Sequence, residues 1–344
     1  MDTPPARATL KDVAQHAGVS TAAVSQALND RGSMRPETRE RILEAAAALG
    51  YAPDRFAAAL RRGRTMSIGY VSTGPGPGAD EGHTARATMR QLNSLVDVAA
   101  EHGYTVTVIP ADRPDLLGAA RVDAVYAPTA EANAPALSEA AARGIPIITT
   151  DVRVPAAAGT WIRTGYAAAT TAALDHLRDS GCERVGFLTE AGGLAHGRIG
   201  EQAYLEWCLT HRQDPAIVRV RRGRPELTGP VRELMQAGAD GVFSFYQEGP
   251  ELFLGLSRTD LVLPRDLQVV ALCVYDCDLN DRLGVTHVCV HPDAGPRLLL
   301  PALAAALAGG PALPTPLVLP WELVPGATTR PAARRGDRAQ AKSP

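Results

Sequence analysis

The sequence predicts a small all-α head joined to a larger α/β body, and three observations predict it. Residues 9–29, TLKDVAQHAGVSTAAVSQALN, carry two short helical stripes hinged at Gly18-Val19-Ser20. From Met66 the pattern changes to short buried apolar runs alternating with helical segments, as in a parallel sheet. A chain of 344 residues, 45% hydrophobic, also has more apolar material than one small domain needs.

In the head, Thr9 is placed to cap the first helix, with Asp12 three residues on to close a capping box. Leu10, Val13, Ala14 and Ala17 fall on one stripe, and Gly18 supplies the turn. Val19 plugs the space between the helices and Ser20 caps the second. Val24 and Leu28 face back onto the first helix, which turns Thr21, Ala22, Ser25, Gln26 and Asn29 outward. Small polar side chains on the early turns of a second helix suit a rod entering the major groove. The pattern predicts a helix-turn-helix. A third helix opens on Pro36 and Glu37, with Ile42, Leu43, Ala46 and Leu49 as its expected buried face and Gly50 as its stop.

These residues carry a resemblance. LKDVAxxAGVSxxxVSxxLN, followed by PETRERI and GYxPxR, resembles the lactose-repressor/galactose-repressor family of transcription regulators. The likeness is dense through Gly69 and looser to Thr329. It implies an N-terminal all-α helix-turn-helix head plus an α/β periplasmic-binding-protein-like effector domain of two parallel-sheet subdomains. The expected boundaries are 1–52 for the head, 53–65 for a hinge helix or linker, 66–330 for the effector and dimerisation domain, and 331–344 for a disordered tail. Within the effector domain, the N-subdomain takes about 66–160 and 291–316, and the C-subdomain about 161–290 and 317–330.

The DNA-facing set is Thr9, Leu10, Ser20, Thr21, Ala22, Ser25, Gln26, Asn29, Arg35 and Leu60. Glutamine pairs with adenine through its amide, whereas arginine grips guanine. Gln26, where the family usually has arginine, therefore implies a different half-site, with Thr21 reading beside it and Ala22 making an apolar contact. Ala23 replaces the family's threonine. Arg35 replaces a Ser or Thr before Pro36 and is open to two readings, a phosphate contact or a solvated side chain. In the hinge, Leu60 stands among Ala57, Ala58, Ala59 and nearby arginines, a composition suited to a minor-groove wedge flanked by cations. The family's leucine there kinks the operator between two paired hinge helices. Asp54 and Ala58-Ala59 depart from its Asn and Arg-Ser.

In the body, MSIGYVST, YTVTVIPA, VDAVYAP and IPIITTD read as strands of a first unit, and RVGFLTE, DGVFSFY, LQVVALC and THVCVHP as strands of a second. LVLPWELVPGATT reads as one closing strand. In open parallel sheets ligands lie at strand carboxyl ends. Thr73, Tyr246 and Gln247 end strands and become cleft candidates. Trp161 is open to two readings, an apolar platform for a sugar face or hinge packing. The resemblance adds Arg198, near the family's effector-binding arginine, Asp151 at an acidic cleft position, and Cys273. The family's cleft amides and carboxylates are depleted: Thr164-Gly165 stands for Asp-Asn, Tyr246-Gln247 for Asn-Asp, and Ala271-Leu272-Cys273-Val274 for Gly-Phe-Asp-Asp.

The net charge of −2 argues against a wholesale polyanion binder. Residues 1–64 nevertheless hold ten Lys/Arg against seven Asp/Glu, leaving 25 against 30 for the remainder, so any DNA binding is local to the head. Five scattered cysteines fit a reducing cytoplasm. No apolar run reaches the ~18 residues of a membrane span, so a cytoplasmic, nucleoid-associated protein is expected, with no membrane partner. His287, Cys289 and His291 share one strand face with Cys273 and Cys277 upstream, but period-two side chains point along a ridge, so no metal site is expected. No GxSxG elbow, phosphate-cradling glycine loop or HExxH motif occurs, and the expectation is a non-enzyme without cofactors. The implied partners are a double-stranded DNA operator, a small-molecule effector (a sugar or related metabolite) and a second copy of the chain. The alternative keeps the DNA-binding dimer but gives it a vestigial cleft, or a protein or metal effector.

Overall fold

The computed structural model describes residues 8–28, 34–51, 63–73, 83–154, 159–192, 195–221, 227–245, 249–274, 277–291, 294–311 and 316–331. The chain divides into two units, Met1–Thr65 and Met66–Pro344. Asn29, Leu60, Tyr246, Gln247 and the expected disordered tail beyond 331 lie outside the described residues.

Three helices form the head: α1 (Leu10–Ala17), α2 (Thr21–Leu28) and α3 (Pro36–Ala48). Their apolar stripes meet in one small core of Val13, Ala14, Ala17, Val24, Ala27, Ile42, Ala45 and Ala46, with Leu10, Val19, Leu28 and Leu49 packed around it. Leu43, expected inside, is 44% exposed. The buried stripe of α3 runs through Ile42, Ala45 and Ala46, and helical geometry puts the residue after Ile42 a hundred degrees off it.

The body alternates strands and helices. Its strands are β1 (Ser67–Ser72), β2 (Thr105–Pro110), β3 (Ala124–Ala127), β4 (Ile147–Thr150), β5 (Gly159–Arg163), β6 (Val185–Glu190), β7 (Ile217–Val220), β8 (Gly241–Ser244), β9 (Gln268–Cys273), β10 (His287–Cys289), β11 (Leu317–Val318) and β12 (Glu322–Val324). Its helices are α4 (His83–Glu101), α5 (Pro114–Ala120), α6 (Pro135–Ala142), α7 (Tyr166–Asp179), α8 (Ala195–His211), α9 (Thr228–Gln236), α10 (Gly249–Leu256), α11 (Cys277–Leu283) and α12 (Ala294–Leu307). Two six-stranded sheets result, ordered β11-β5-β4-β3-β1-β2 and β12-β10-β9-β8-β6-β7. Every pairing is parallel except β10 with β12.

Both faces of each sheet are covered, which explains why the strands read as continuous apolar runs. Along β1, Ile68 and Tyr70 face a core with Leu95, Tyr126, Leu299 and Leu303, while Val71 faces another with Ile109, Leu117 and Leu137. In the second sheet Phe187 packs with Leu174, Tyr204 and Phe243, and Leu188 faces Val231, Leu234 and Val242 on the opposite side.

The chain passes between sheets three times. The first passage follows β5, so Trp161–Arg163 stay in the first sheet, a few residues later than the sequence reading placed it. The second follows β10, after which α12 packs on the first sheet. The third separates β11 from β12. The closing segment is thus two short strands in different sheets rather than one, with Pro320, which lacks a ladder donor, between them. Beyond β12 the chain is pinned to the second sheet: Thr328 Oγ1 donates to the Val269 carbonyl at 2.7 Å, and the Arg330 amide donates to Gln268 Oε1 at 2.7 Å.

Candidate functional site

The head presents its second helix on local grounds alone. The Thr9 amide and hydroxyl each donate to Asp12 Oδ2 at 2.7 Å, and the Asp12 amide returns a 3.4 Å bond to Thr9 Oγ1, closing the capping box. The Thr9 hydroxyl holds the Asp12 carboxyl below the usual range. Gly18 adopts φ 64°, a left-handed conformation that glycine enters without steric cost, and the Val19 amide reaches the Ala14 carbonyl at 3.0 Å. Ser20 Oγ then accepts from the Ala23 amide at 3.2 Å. Thr9 and Ser20 therefore act on helix ends, and Leu10 packs against the head core. Val24 and Ala27 are buried, which leaves Thr21, Ala22, Ser25 and Gln26 exposed on one face of α2. Arg35 is exposed at the N-cap of α3 and makes no side-chain capping bond.

In the body, the expected cleft residues sit at strand carboxyl ends but do not gather at one point. Thr73 Oγ1 lies 3.2 Å from Thr129 Oγ1 and lines a cavity of ≈ 530 Å³ with Ser72, Val108, Pro110, Ala111, Asp112 and Pro135, all from the first sheet's subdomain. Arg198, in the first turn of α8, lines a second cavity of ≈ 480 Å³ with Glu190, Glu201, Gln202 and Arg219. Arg219 Nε donates to Glu201 at 3.1 Å across its floor. Arg198 also approaches Glu131 at 3.8 Å, an exposed ion pair linking the carboxyl ends of the two sheets. Glu131 was missed in the sequence because only the three-dimensional placement of β3 beside α8 brings it near Arg198. The Arg198 cavity is rimmed by charged and amide groups suited to a polar ligand, whereas the Thr73 cavity is lined mostly by apolar side chains with Ser72, Thr73 and Asp112 among them.

Asp151 serves the first passage between sheets. At φ 55°, its carboxylate accepts from the Thr164 amide at 2.9 Å and also from the Thr164 hydroxyl. Burial pushes its carboxyl up to about 6, opposed by those hydrogen bonds. The next residue, Gly165, is where a Cβ would lie 2.1 Å from Trp321 Cδ1. Thr164-Gly165 thus has a steric logic: the indole from the third passage occupies the space a side chain from the first would need. Trp161, half-buried on β5, has the Arg163 guanidinium 5.9 Å from its ring centroid.

Cys273 is buried and differs from a solvent-facing cleft residue. Strand pairing puts it directly beside Cys289, and the start of α11 adds Cys277. The Cys273–Cys277 sulfurs are 3.2 Å apart and the Cys277–Cys289 sulfurs 2.8 Å; all five cysteines in the chain are thiols. This corrects the ridge expectation. Period two along one strand places His287, Cys289 and His291 in a row, but convergence comes from the neighbouring strand and helix. His287 is fully buried and bonded to the Val285 carbonyl at 2.9 Å, apart from the sulfurs. Cys273 and Cys289 crowd the Cys277 thiol and push it well above the usual thiol range, and Cys273 helps push Cys289 up to about 12.

Comparisons with known proteins agree with this architecture. Residues 9–54 match the model of bacterial regulatory proteins of the lacI family, and residues 174–329 match a periplasmic binding protein-like domain. The HTH-type transcriptional regulator PtxS of Pseudomonas plecoglossicida is 32% identical over 184 residues, covering 51% of this chain and 52% of that protein. The ribose operon repressor of Bacillus subtilis (strain 168) is 47% identical over 64 residues, 19% of this chain and 20% of that one. The chain thus spans about half the length of the first relative and a fifth of the second. Among solved structures, the lac repressor dimer bound to operator and the anti-inducer ONPF superposes with a TM-score of 0.71 at 20% identity, over 94% of this chain and 99% of that one. Helix-turn-helix, two-sheet body and matched segments lead to one conclusion: the head is similar to the lacI family of bacterial regulatory proteins over residues 9–54, and the body to periplasmic binding protein-like domains over residues 174–329.

Proposed function

We propose that the protein is a sequence-specific, DNA-binding transcriptional repressor that binds a pseudo-palindromic operator as a homodimer. The observation that carries this is the exposed face of α2, where Thr21, Ala22, Ser25 and Gln26 project from a helix whose other side is locked to the head core. One such face reads only a half-site, so two copies must bind together to span a full operator. Leu60 of each copy is assigned the minor-groove wedge between half-sites, and Arg35 a phosphate contact. The linker 53–65 and the division of the body into N- and C-subdomains are part of the same reading. The similar lac repressor binds operator as a dimer together with an anti-inducer, which supports it.

The effector is a small polar molecule, a sugar or related metabolite, taken between the subdomains. Arg198, Glu190, Glu201 and Arg219 supply hydrogen-bonding groups on one side, and Thr73 on the other. Such a ligand shifts DNA affinity only by binding the open and closed states unequally. Asp151 and Trp161 flank the first passage and are assigned to the hinge of that motion. The protein acts in the cytoplasm without catalytic turnover or cofactor; among the described residues no helix is long and apolar enough to cross a membrane. Titrating full-length protein into labelled duplexes drawn from the DNA around its own gene tests this reading. Saturable binding to one segment, abolished by swapping Gln26 and Thr21 for alanine, is expected. Equal affinity for all segments contradicts it.

A further inference from the structure

We infer that Cys273, Cys277 and Cys289, with His291 beside them, form a binding site for a thiophilic divalent cation such as zinc. The three sulfurs lie within 4.8 Å of one another, contributed by the ends of two adjacent parallel strands and the start of α11. Side chains from three separate elements that converge to this degree define a coordination shell rather than a packing contact. A tetrahedral zinc ion with Zn–S bonds of about 2.3 Å needs sulfurs about 3.8 Å apart. The pairs at 3.2 and 2.8 Å reach that spacing by opening by roughly 1 Å or less. Cys277 is half-buried, which leaves a route for the ion from solvent.

His291 supplies the second observation. Its Nδ1 lies 3.4 Å from Cys289 Sγ, and its Nε2 lies 3.3 Å from the Glu322 carboxylate. A carboxylate on the far nitrogen of an imidazole fixes the tautomer and aims the near nitrogen, the usual outer-shell arrangement around a metal-binding histidine. Three thiolates and one imidazole make a Cys3His set, which favours zinc over the harder oxygen-seeking cations. The ion is held by thiolates, so binding releases the thiol protons to solvent. Within the described residues, no other group of three such ligands gathers. The site lies at the carboxyl edge of the second sheet, and Glu322 follows directly on the third passage between sheets. An ion here would tie β9, β10, α11 and β12 together. The inference rests on this chain's own side chains and stands whether or not the operator reading holds.

Full-length, reduced protein prepared without a metal-affinity tag is titrated with Co(II) alone and then with Zn(II). The expected result is thiolate-to-cobalt charge-transfer absorption with tetrahedral visible bands, saturating at one ion per chain and erased by zinc. Cys277→Ala and, as a second variant, Cys277→Ser lose the bands. Glu322→Gln weakens binding about 10- to 100-fold, and Cys208→Ala, a thiol outside the cluster, leaves it unchanged. Unfolding midpoints of the variants confirm that each is folded. Absence of thiolate bands in folded wild-type protein overturns the inference, as does binding that survives in both Cys277 variants. Recovery of Cys277 and Cys289 as a disulfide from freshly reduced protein, with no ion taken up, overturns it equally.

Discussion

Gln26 is the residue at which operator preference is expected to turn. It is exposed on α2 between buried Val24 and Ala27, so its backbone position is fixed while its amide is presented outward. Replacing it with arginine exchanges an adenine-pairing amide for a guanine-pairing fork. Site selection with Gln26→Arg should recover a half-site changed at one position, and an unchanged site would remove Gln26 from base reading. Asp151 carries a different expectation. Its folded carboxyl titrates near 6, above the ~3.9 of an unfolded aspartate, so between those values the folded state holds the extra proton. Stability therefore falls as pH rises through about 4 to 6, by on the order of 1–3 kcal/mol. Asp151→Asn keeps an acceptor for the Thr164 amide but has nothing to titrate. Urea midpoints measured across that window should decline for the wild type and flatten for the variant. At Gly165 the indole of Trp321 occupies the space of a Cβ. Gly165→Ala is expected to destabilise the body by about 1–3 kcal/mol through overpacking, read as a lower denaturant midpoint without a change in slope. Gln26 was legible from its place on the second helix, but the Asp151–Thr164 bond and the Gly165–Trp321 packing were not, because they join residues that meet only once the passages fold.

At the scale of elements, legibility followed the range of the forces involved. The head was readable almost residue by residue. Its capping box, left-handed Gly18 and serine cap are bonds between residues at most five apart. Gly18→Ala is expected to cost the head about 1–2 kcal/mol, since only glycine takes φ 64° without penalty. Hydrogen exchange should show faster amide exchange at Val13, Ala14 and Ile42 and unchanged protection in the body; equal protection everywhere would show that the turn is not limiting. In the body, strands buried on both faces announced themselves as apolar runs. Short amphipathic pieces did not: α5, α9, α10, α11 and β7 span four to nine residues each and offer too few turns for a period to emerge. The cysteine cluster escaped for a related reason. Its ingredients were visible in THVCVHP and LQVVALC, but the register pairing Cys289 with Cys273 is a property of the sheet.

For the whole molecule, the proposed function assigns DNA contact to the small head and control of its availability to the body. The head's three helices, two of eight residues and one of 13, enclose a core composed largely of alanine, too small to hold firmly alone, so bound DNA is expected to add to its order. Because phosphate contacts supply much of the affinity, binding should weaken by a factor of about 10³ or more between about 50 and 200 mM salt. Titrations at several salt concentrations give the slope, and a flat response would exclude a charged head as the contact surface. The most direct test of the central claim is selection of preferred duplexes from a random pool by the full-length protein, with its dimeric state verified by sedimentation. Enrichment of one pseudo-palindrome whose half-sites lie about 34–36 Å apart is expected. Folded, dimeric protein that enriches no sequence over random competitor, with or without polar small molecules or zinc, would contradict it.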